Sequence, residues 1–301
     1  MKKIILMAVL MLILPISVFA QTFEVLNYNS LVRQGDVLMI KLASSLREKD
    51  IHLFVFDELY QFNKNGHAFV GVDVERKPGR YIMYLVETKE NERIQHDFYY
   101  TYVEVLEKQF GNPWYAGPLP RPSKAVQEQR AKEKAIKDGA YSLADISNDF
   151  TEGRFILPLG NAEVTDEFGV PRIYGAYNRR TKKTKVENKV PHGGTDFRAR
   201  IPLPVRAVNS GKILLVHWFP IRGTEGKMLV IDHGSGVLSL YLHLSKFMVK
   251  KGDTVKSGQI VAMTGATPVR TSPHLHFMIK VHGLNVDPVG FTNDFNRYMD
   301  R

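Results

Sequence analysis

What most constrains this chain is its punctuation. Short runs rich in β-branched and aromatic residues follow one another, divided by turns of glycine, proline and asparagine. Before residue 108 the runs are TFEVLNY, DVLMIKLA, IHLFVFD, HAFVGVDV, RYIMYLVE and HDFYYTYVEVL, with RQGD, NKNG and RKPG among the breaks. Runs of this kind read as strands, and several alternate. About six or seven strands in this length predict a β-sandwich of Ig-like architecture. From Phe155 to Pro288 a second series, GKILLVHW, KMLVIDHG, VLSLYLHL, QIVAMTG and HLHFMIKV, predicts another β-rich domain. The expected fold class is mainly β.

Between the two lies GNPWYAGPLPRPSK, where Pro113, Pro118, Pro120 and Pro122 predict a stiff, extended linker. SKAVQEQRAKEKAIKDG then reads as a helix, with Ser123 as N-cap and Gly139 as its stop. Glu128 with Lys132, and Glu133 with Lys137, have the spacing that supports a helix. Its apolar face is thin, which predicts a solvated connector. The start, MKKIILMAVLMLILPISVFAQ, has a basic pair at Lys2 and Lys3, an apolar run and small residues at Val18 and Ala20. That is the pattern of a signal peptide cut before Gln21. The run is short for a membrane span and Pro15 interrupts it. The expected division is a signal peptide over 1–20, a β-sandwich over 21–108, linker and helix over 109–150, and the second β-rich domain over 151–301. The mature protein is expected in the periplasm or cell envelope, without a stable membrane span.

Composition then narrows the chemistry. There is no cysteine, so disulfides, thiolate nucleophiles and cysteine-bound zinc are excluded. The formal net charge of +10 suits an anionic surface or polymer such as cell wall, and export rules out nucleic acid as a partner. Seven of the ten histidines fall in the second domain. In PHLHF, read as a strand, His274 and His276 share one face while Leu275, Phe277 and Ile279 share the other. Their Cβ atoms would stand about 7 Å apart, so both can serve one site, one as ligand and one reaching bound water. In LYLHLS the same parity puts His243 with Ser239 and Tyr241, away from the leucines at 238, 240, 242 and 244. In PHGGTDF, Gly193 and Gly194 let the backbone turn between His192 and Asp196. Catalytic zinc takes three protein ligands and keeps one position for water, and without cysteine a His/Asp/His set is available. His52, His67 and His96 are scattered, and His233, in the turn DHGSG, and His282 read as surface residues.

The order and spacing of FGVPRIYGAYN, HGGTDFRA, IPLPVRAVNSGKILLV, MLVIDHGSGVLSLYLHLS, VKKGDTVKSGQIVAMTGAT and PHLHFMIKVHGLNVDP carry a resemblance. Residues from about 155 to 287 resemble the lysostaphin/LytM-type zinc metallopeptidases that cut peptide bonds in peptidoglycan. The resemblance implies an antiparallel β-sheet with a groove across it. It implies zinc ligands at His192, Asp196 and His276 and catalytic roles for His243 and His274, with His274 favoured as base. The upstream β-domain and helical linker also look like those of exported envelope members. Relatives often carry Ser or Thr where Gly193 stands, and Gly is common where Ser272 stands; neither is a ligand. The activity implied is an exported endopeptidase acting on peptide stems and crosslinks in wall remodelling. A non-hydrolytic wall-binding protein or activator of other hydrolases is the alternative. The basic segment holding Arg179, Arg180, Lys182, Lys183, Lys185 and Lys189 reads as a loop that either walls the groove or is simply solvated. Tyr174 and Tyr177 are candidate substrate contacts.

Overall fold

The computed structural model describes residues 23–25, 31–89, 92–118, 121–178, 180–181, 183–200, 202–221, 223–268 and 273–299. The expected signal peptide, Arg179, Lys182 and Ser272 lie outside them. No helix among the described residues is long and apolar enough to cross a membrane.

The N-terminal part is two sheets around one core. Phe23–Val25, Val37–Leu42 and His67–Gly71 form one; Leu31–Arg33, Glu92–Leu106, Gly79–Lys89, Ile51–Val55 and Glu58–Gln61 form the other. Leu38, Ile40, Leu53, Met83, Leu85 and Val103 meet between them. The strand Val37–Leu42 is buried at five of its six positions, with only Lys41 exposed. Alternation explains why. Leu38, Ile40 and Leu42 enter the sandwich core, whereas Val37 and Met39 join Phe69 in the core of the second domain. A strand covered on both faces reads as a continuous apolar run.

The second domain centres on an eight-stranded sheet. Its order is Val164–Asp166, Thr195–Arg198, His274–Val281, Val237–Leu244, Gly226–Asp232, Gly211–Phe219 and Thr254–Val255, with Leu284–Val286 paired beside His274–Val281. Both faces are covered. One carries Phe197, Tyr241, Leu275, Phe277 and Ile279, packed with Phe291 and Phe295 of the C-terminal helix Pro288–Met299 and with the N-terminal Met39 and Phe69. The other carries Met228, Val230, Leu238, Leu240 and Leu242, packed with Ala140 and Tyr141.

Those last two residues correct the connector expected between the domains. The helix Lys124–Tyr141 begins at Ser123, whose side chain accepts from the Val126 amide, but runs through Gly139 instead of stopping there. Its C-terminal end docks on the sheet. Glu133 is buried, and Lys137 pairs with Glu225 rather than with Glu133. The helix-surface ion pairs that form are Lys124–Glu128 and Lys134–Asp138. The described residues flanking the basic turn are not a loop: Pro171–Asn178 and Lys183–Pro191 pair as an antiparallel hairpin.

Candidate metal centre

The site is built on neighbouring strands. Thr195–Arg198 pairs with His274–Val281 so that Asp196 stands opposite His276, and the next strand sets Leu242 opposite His276 on its other side. Directly paired residues share a face, so Asp196, His276 and Leu242 lie together. Within His274–Val281, Leu275, Phe277 and Ile279 are buried in the core while His274 and His276 face the cleft, as alternation predicts.

His243 reaches the same cleft for a different reason than alternation. Strand parity placed it away from the leucines, yet the site lies on the face of Leu238, Leu240 and Leu242. Between the pairs Leu229↔Tyr241 and Lys227↔Leu244 the strand spends one residue more than its partner. This is a β-bulge, and His243 sits in it at φ +63°. Leu242 and His243 therefore both line the cleft, and Leu244 crosses to the other core. The non-leucine parity is not a groove at all: Tyr241 and Ser239 are completely buried.

His192 enters from the loop before Thr195–Arg198. Gly194 matters here through close approach. A Cβ on it would stand 2.3 Å from the Phe277 carbonyl oxygen and 3.0 Å from His276 Nε2. Any side chain would push the loop off the strand and part His192 from His276.

His192 Nδ1 donates to the Glu167 carbonyl at 2.8 Å. Its Nε2 is therefore left as an acceptor, 3.1 Å from His276 Nδ1 and 3.4 Å from Asp196 Oδ1. His276 Nδ1 is 2.7 Å from the same Asp196 oxygen. Three donor atoms of His192, Asp196 and His276 thus lie within 4.8 Å of one another. Ligands about 2.0–2.1 Å from a tetrahedral zinc stand about 3.3 Å apart, close to this spacing. A cation held among them would also satisfy two acceptors, His192 Nε2 and an ionised Asp196 oxygen, that otherwise share the His276 Nδ1 position. The residues fit zinc, and all three line the cleft. The carbonyl behind His192 is the kind of partner that fixes the ring of a metal ligand.

Burial alone would push the Asp196 carboxyl up, but the histidines around it, with His276 Nδ1 within hydrogen-bond reach, prevail and hold it well below the usual carboxylate range. Burial lowers His276, against the pull of Asp196. An ionised carboxylate beside a neutral imidazole is the ligand state a metal requires.

The rings of His243 and His274 are 4.9 Å apart, and His243 is 6.0 Å from His276. His243 Nδ1 donates to the Thr267 carbonyl at 2.9 Å. Neutral His243 therefore carries its lone pair on Nε2.

The other histidines leave the site. His233, expected at the surface, is completely buried, because its turn folds under the chain and its ring packs edge-on against Phe155. His282, also expected at the surface, is partly buried between the domains against Tyr60. His67 meets the Tyr298 hydroxyl at 2.6 Å. Asp287 caps the C-terminal helix and pairs with Lys108. Tyr174 lines the cleft, whereas Tyr177 is exposed elsewhere. Lys189 pairs with Ile173, on the opposite face from the Arg172–Val190 row that lines the cleft. Sequence reasoning missed Asp166 and Arg172, an ion pair at the cleft whose guanidinium also lies 3.9 Å from Asp196. It also missed Trp114 and Glu225 in the lining. Nothing in their spacing announces a site.

Comparison with known proteins gives this geometry its class. Residues 190–288 match the model of Peptidase family M23. The chain is 37% identical over 169 residues to the peptidoglycan DD-endopeptidase ShyB of Vibrio cholerae, covering 53% of this chain and 39% of ShyB. It is 41% identical over 105 residues to the lysostaphin of Staphylococcus simulans, covering 33% of this chain and 21% of that protein. The chain thus spans well under half the length of these relatives. A Pseudomonas aeruginosa crystal structure assigned to peptidase M23 superposes with a TM-score of 0.58 at 22% identity, covering 87% of this chain and 95% of that one, and shows a shared fold.

Proposed function

We propose that this chain is an exported zinc endopeptidase that hydrolyses peptide crosslinks of peptidoglycan. One observation carries the reading: His192, Asp196 and His276 converge on a point open to a cleft, with His243 and His274 beside it. The family match and the resemblance to peptidoglycan endopeptidases supply the substrate class. His192, Asp196 and His276 would hold the zinc, which when bound acidifies water and polarises a carbonyl. Asp196 brings a single negative charge, so the centre keeps a net positive charge.

His243 and His274 do the proton work. With its Nδ1 proton committed to Thr267, His243 offers Nε2 as an acceptor, and we assign it as the general base. This exchanges the order favoured on sequence. His274 then donates toward the developing oxyanion. The proposed division remains a leader over 1–20 that directs export, a sandwich over 21–108, linker and helix over 109–150, and the peptidase domain over 151–301.

Incubating the purified protein with isolated sacculi, with and without chelator, tests the activity. Soluble muropeptides that disappear with chelator are expected. Intact sacculi in both arms would refute hydrolysis and leave a wall-binding or activator role.

A further inference from the structure

One wall of the cleft comes from outside the peptidase sheet. The linker strand Trp114–Ala116 pairs parallel with the hairpin strand Pro171–Asn178, placing Trp114 opposite Arg172 and Ala116 opposite Tyr174. Arg172 is in turn opposite Val190. Trp114, Arg172 and Val190 thus form one cross-strand row on one face of this small sheet. All three line the same cleft as His192, Asp196, His243, His274 and His276.

This placement is held at several independent points. Lys108 bridges Asp36 of the sandwich and Asp287 of the peptidase domain. Phe110 packs edge-on against Phe168, and its ring lies 2.1 Å from where a Cβ on Gly169 would stand, so the chain has made room for it. Three backbone pairs then fix Trp114–Ala116 in register. Pinned in this way, the indole remains 50% exposed. The Arg172 guanidinium lies over it, 5.1 Å from the ring centroid, and is itself ion-paired with Asp166. A large, rigid aromatic ring held open at the edge of a hydrolytic cleft contributes contact area at little entropic cost.

We infer that Trp114 is a substrate-positioning residue, the apolar wall against which a peptide unit of the substrate stacks while the scissile bond lies at the metal centre. This rests on the endopeptidase reading above. It makes the inter-domain linker part of the substrate site.

The test uses the full mature protein and soluble crosslinked muropeptide dimers. Trp114→Ala is expected to raise KM about tenfold with kcat within about twofold, and Trp114→Phe to restore most of the loss. Zinc content and thermal unfolding should match the wild type. An unchanged KM in Trp114→Ala, or a fall in kcat with loss of zinc, would overturn the inference, the latter because it would show support of Arg172 alone. Binding gives a second readout. The chain has two tryptophans, so in a Trp218→Phe background Trp114 is the only indole. Its emission should shift on addition of muropeptide dimers to the His274→Ala protein. If the wild type cuts the dimers and the emission does not respond, the Trp114 inference falls. If the wild type cuts nothing but the emission responds, the endopeptidase reading falls and Trp114 stands as a binding residue. If neither occurs, both fall.

Discussion

Acid should loosen this protein through a histidine that takes no part in the cleft. His233 is completely buried. Its Nδ1 donates to the Ser210 carbonyl at 2.8 Å, so Nε2 accepts from the Ser239 hydroxyl at 2.7 Å. Burial lowers its pKa to about 4, against a backbone hydrogen bond that favours the charged form. In the unfolded chain the value returns to about 6.5. Above pH 6.5 both states are neutral here and nothing is lost. As pH falls from about 6.5 to about 4 the unfolded state takes up a proton that the native state refuses, so stability declines; below about 4 both are protonated and the decline stops. At pH 5 the loss works out to about 2 kcal/mol from this one group. Urea unfolding of the mature protein at about pH 7.5 and pH 5 measures it. His233→Asn keeps a donor near the Nδ1 position and cannot titrate. It will cost stability at every pH by giving up the contact with Phe155, so the readout is the difference between the two pH values. That difference should shrink by about 2 kcal/mol in the variant. An equal difference in both proteins would refute the assignment and place acid sensitivity in other groups.

Three further outcomes follow from the geometry. His276→Ala should lose zinc, whereas His274→Ala should keep it and lose turnover; metal analysis beside muropeptide release reads both, and a zinc-loaded, active His276→Ala protein would sink the ligand assignment. His243→Gly should relieve the positive φ of the bulge, a gain of up to about 1 kcal/mol in thermal unfolding, while muropeptide release falls at least about a hundredfold. Phe69→Ala removes an N-terminal ring stacked on Phe295 of the C-terminal helix, with centroids 6.1 Å apart. It should cost about 3–5 kcal/mol and lower one cooperative calorimetric transition; two separate transitions would show that the shared core does not couple the domains.

The shared core also bears on what the sandwich does for the site. Val37, Met39 and Phe69 lie on the sheet face that carries Phe277 and Ile279, whereas the cleft opens on the face of Leu242 and His276. The sandwich is therefore placed behind the sheet, and what reaches the cleft from the N-terminal side is the linker with Trp114.

The same two-faced burial explains which parts of the protein were legible in its sequence. His274 and His276 were readable because their strand keeps a strict period of two, with Leu275, Phe277, Ile279 and Val281 on one face and Met278 the one apolar residue on the other. The strand of His243 has no such contrast. All eight of its positions are buried, so its leucines mark a core without marking which side the site is on. The extra residue at the bulge then moves His243 across the sheet, and an insertion of one residue leaves no trace in a periodic pattern. His233 misled for a related reason: its glycine-rich turn looks solvated, but the turn lies against 148–149, where the Gly234 position would put a Cβ 2.3 Å from the Asn148 carbonyl oxygen. Asp166, Arg172 and Trp114 are harder still. Each is an ordinary strand residue until pairing places it, Asp166 opposite Asp196, and Arg172 between Val190 of its hairpin and Trp114 of a segment some sixty residues away. Ligands within one short motif can be read from spacing; a cleft wall assembled by register between distant segments becomes visible only once the pairing is known.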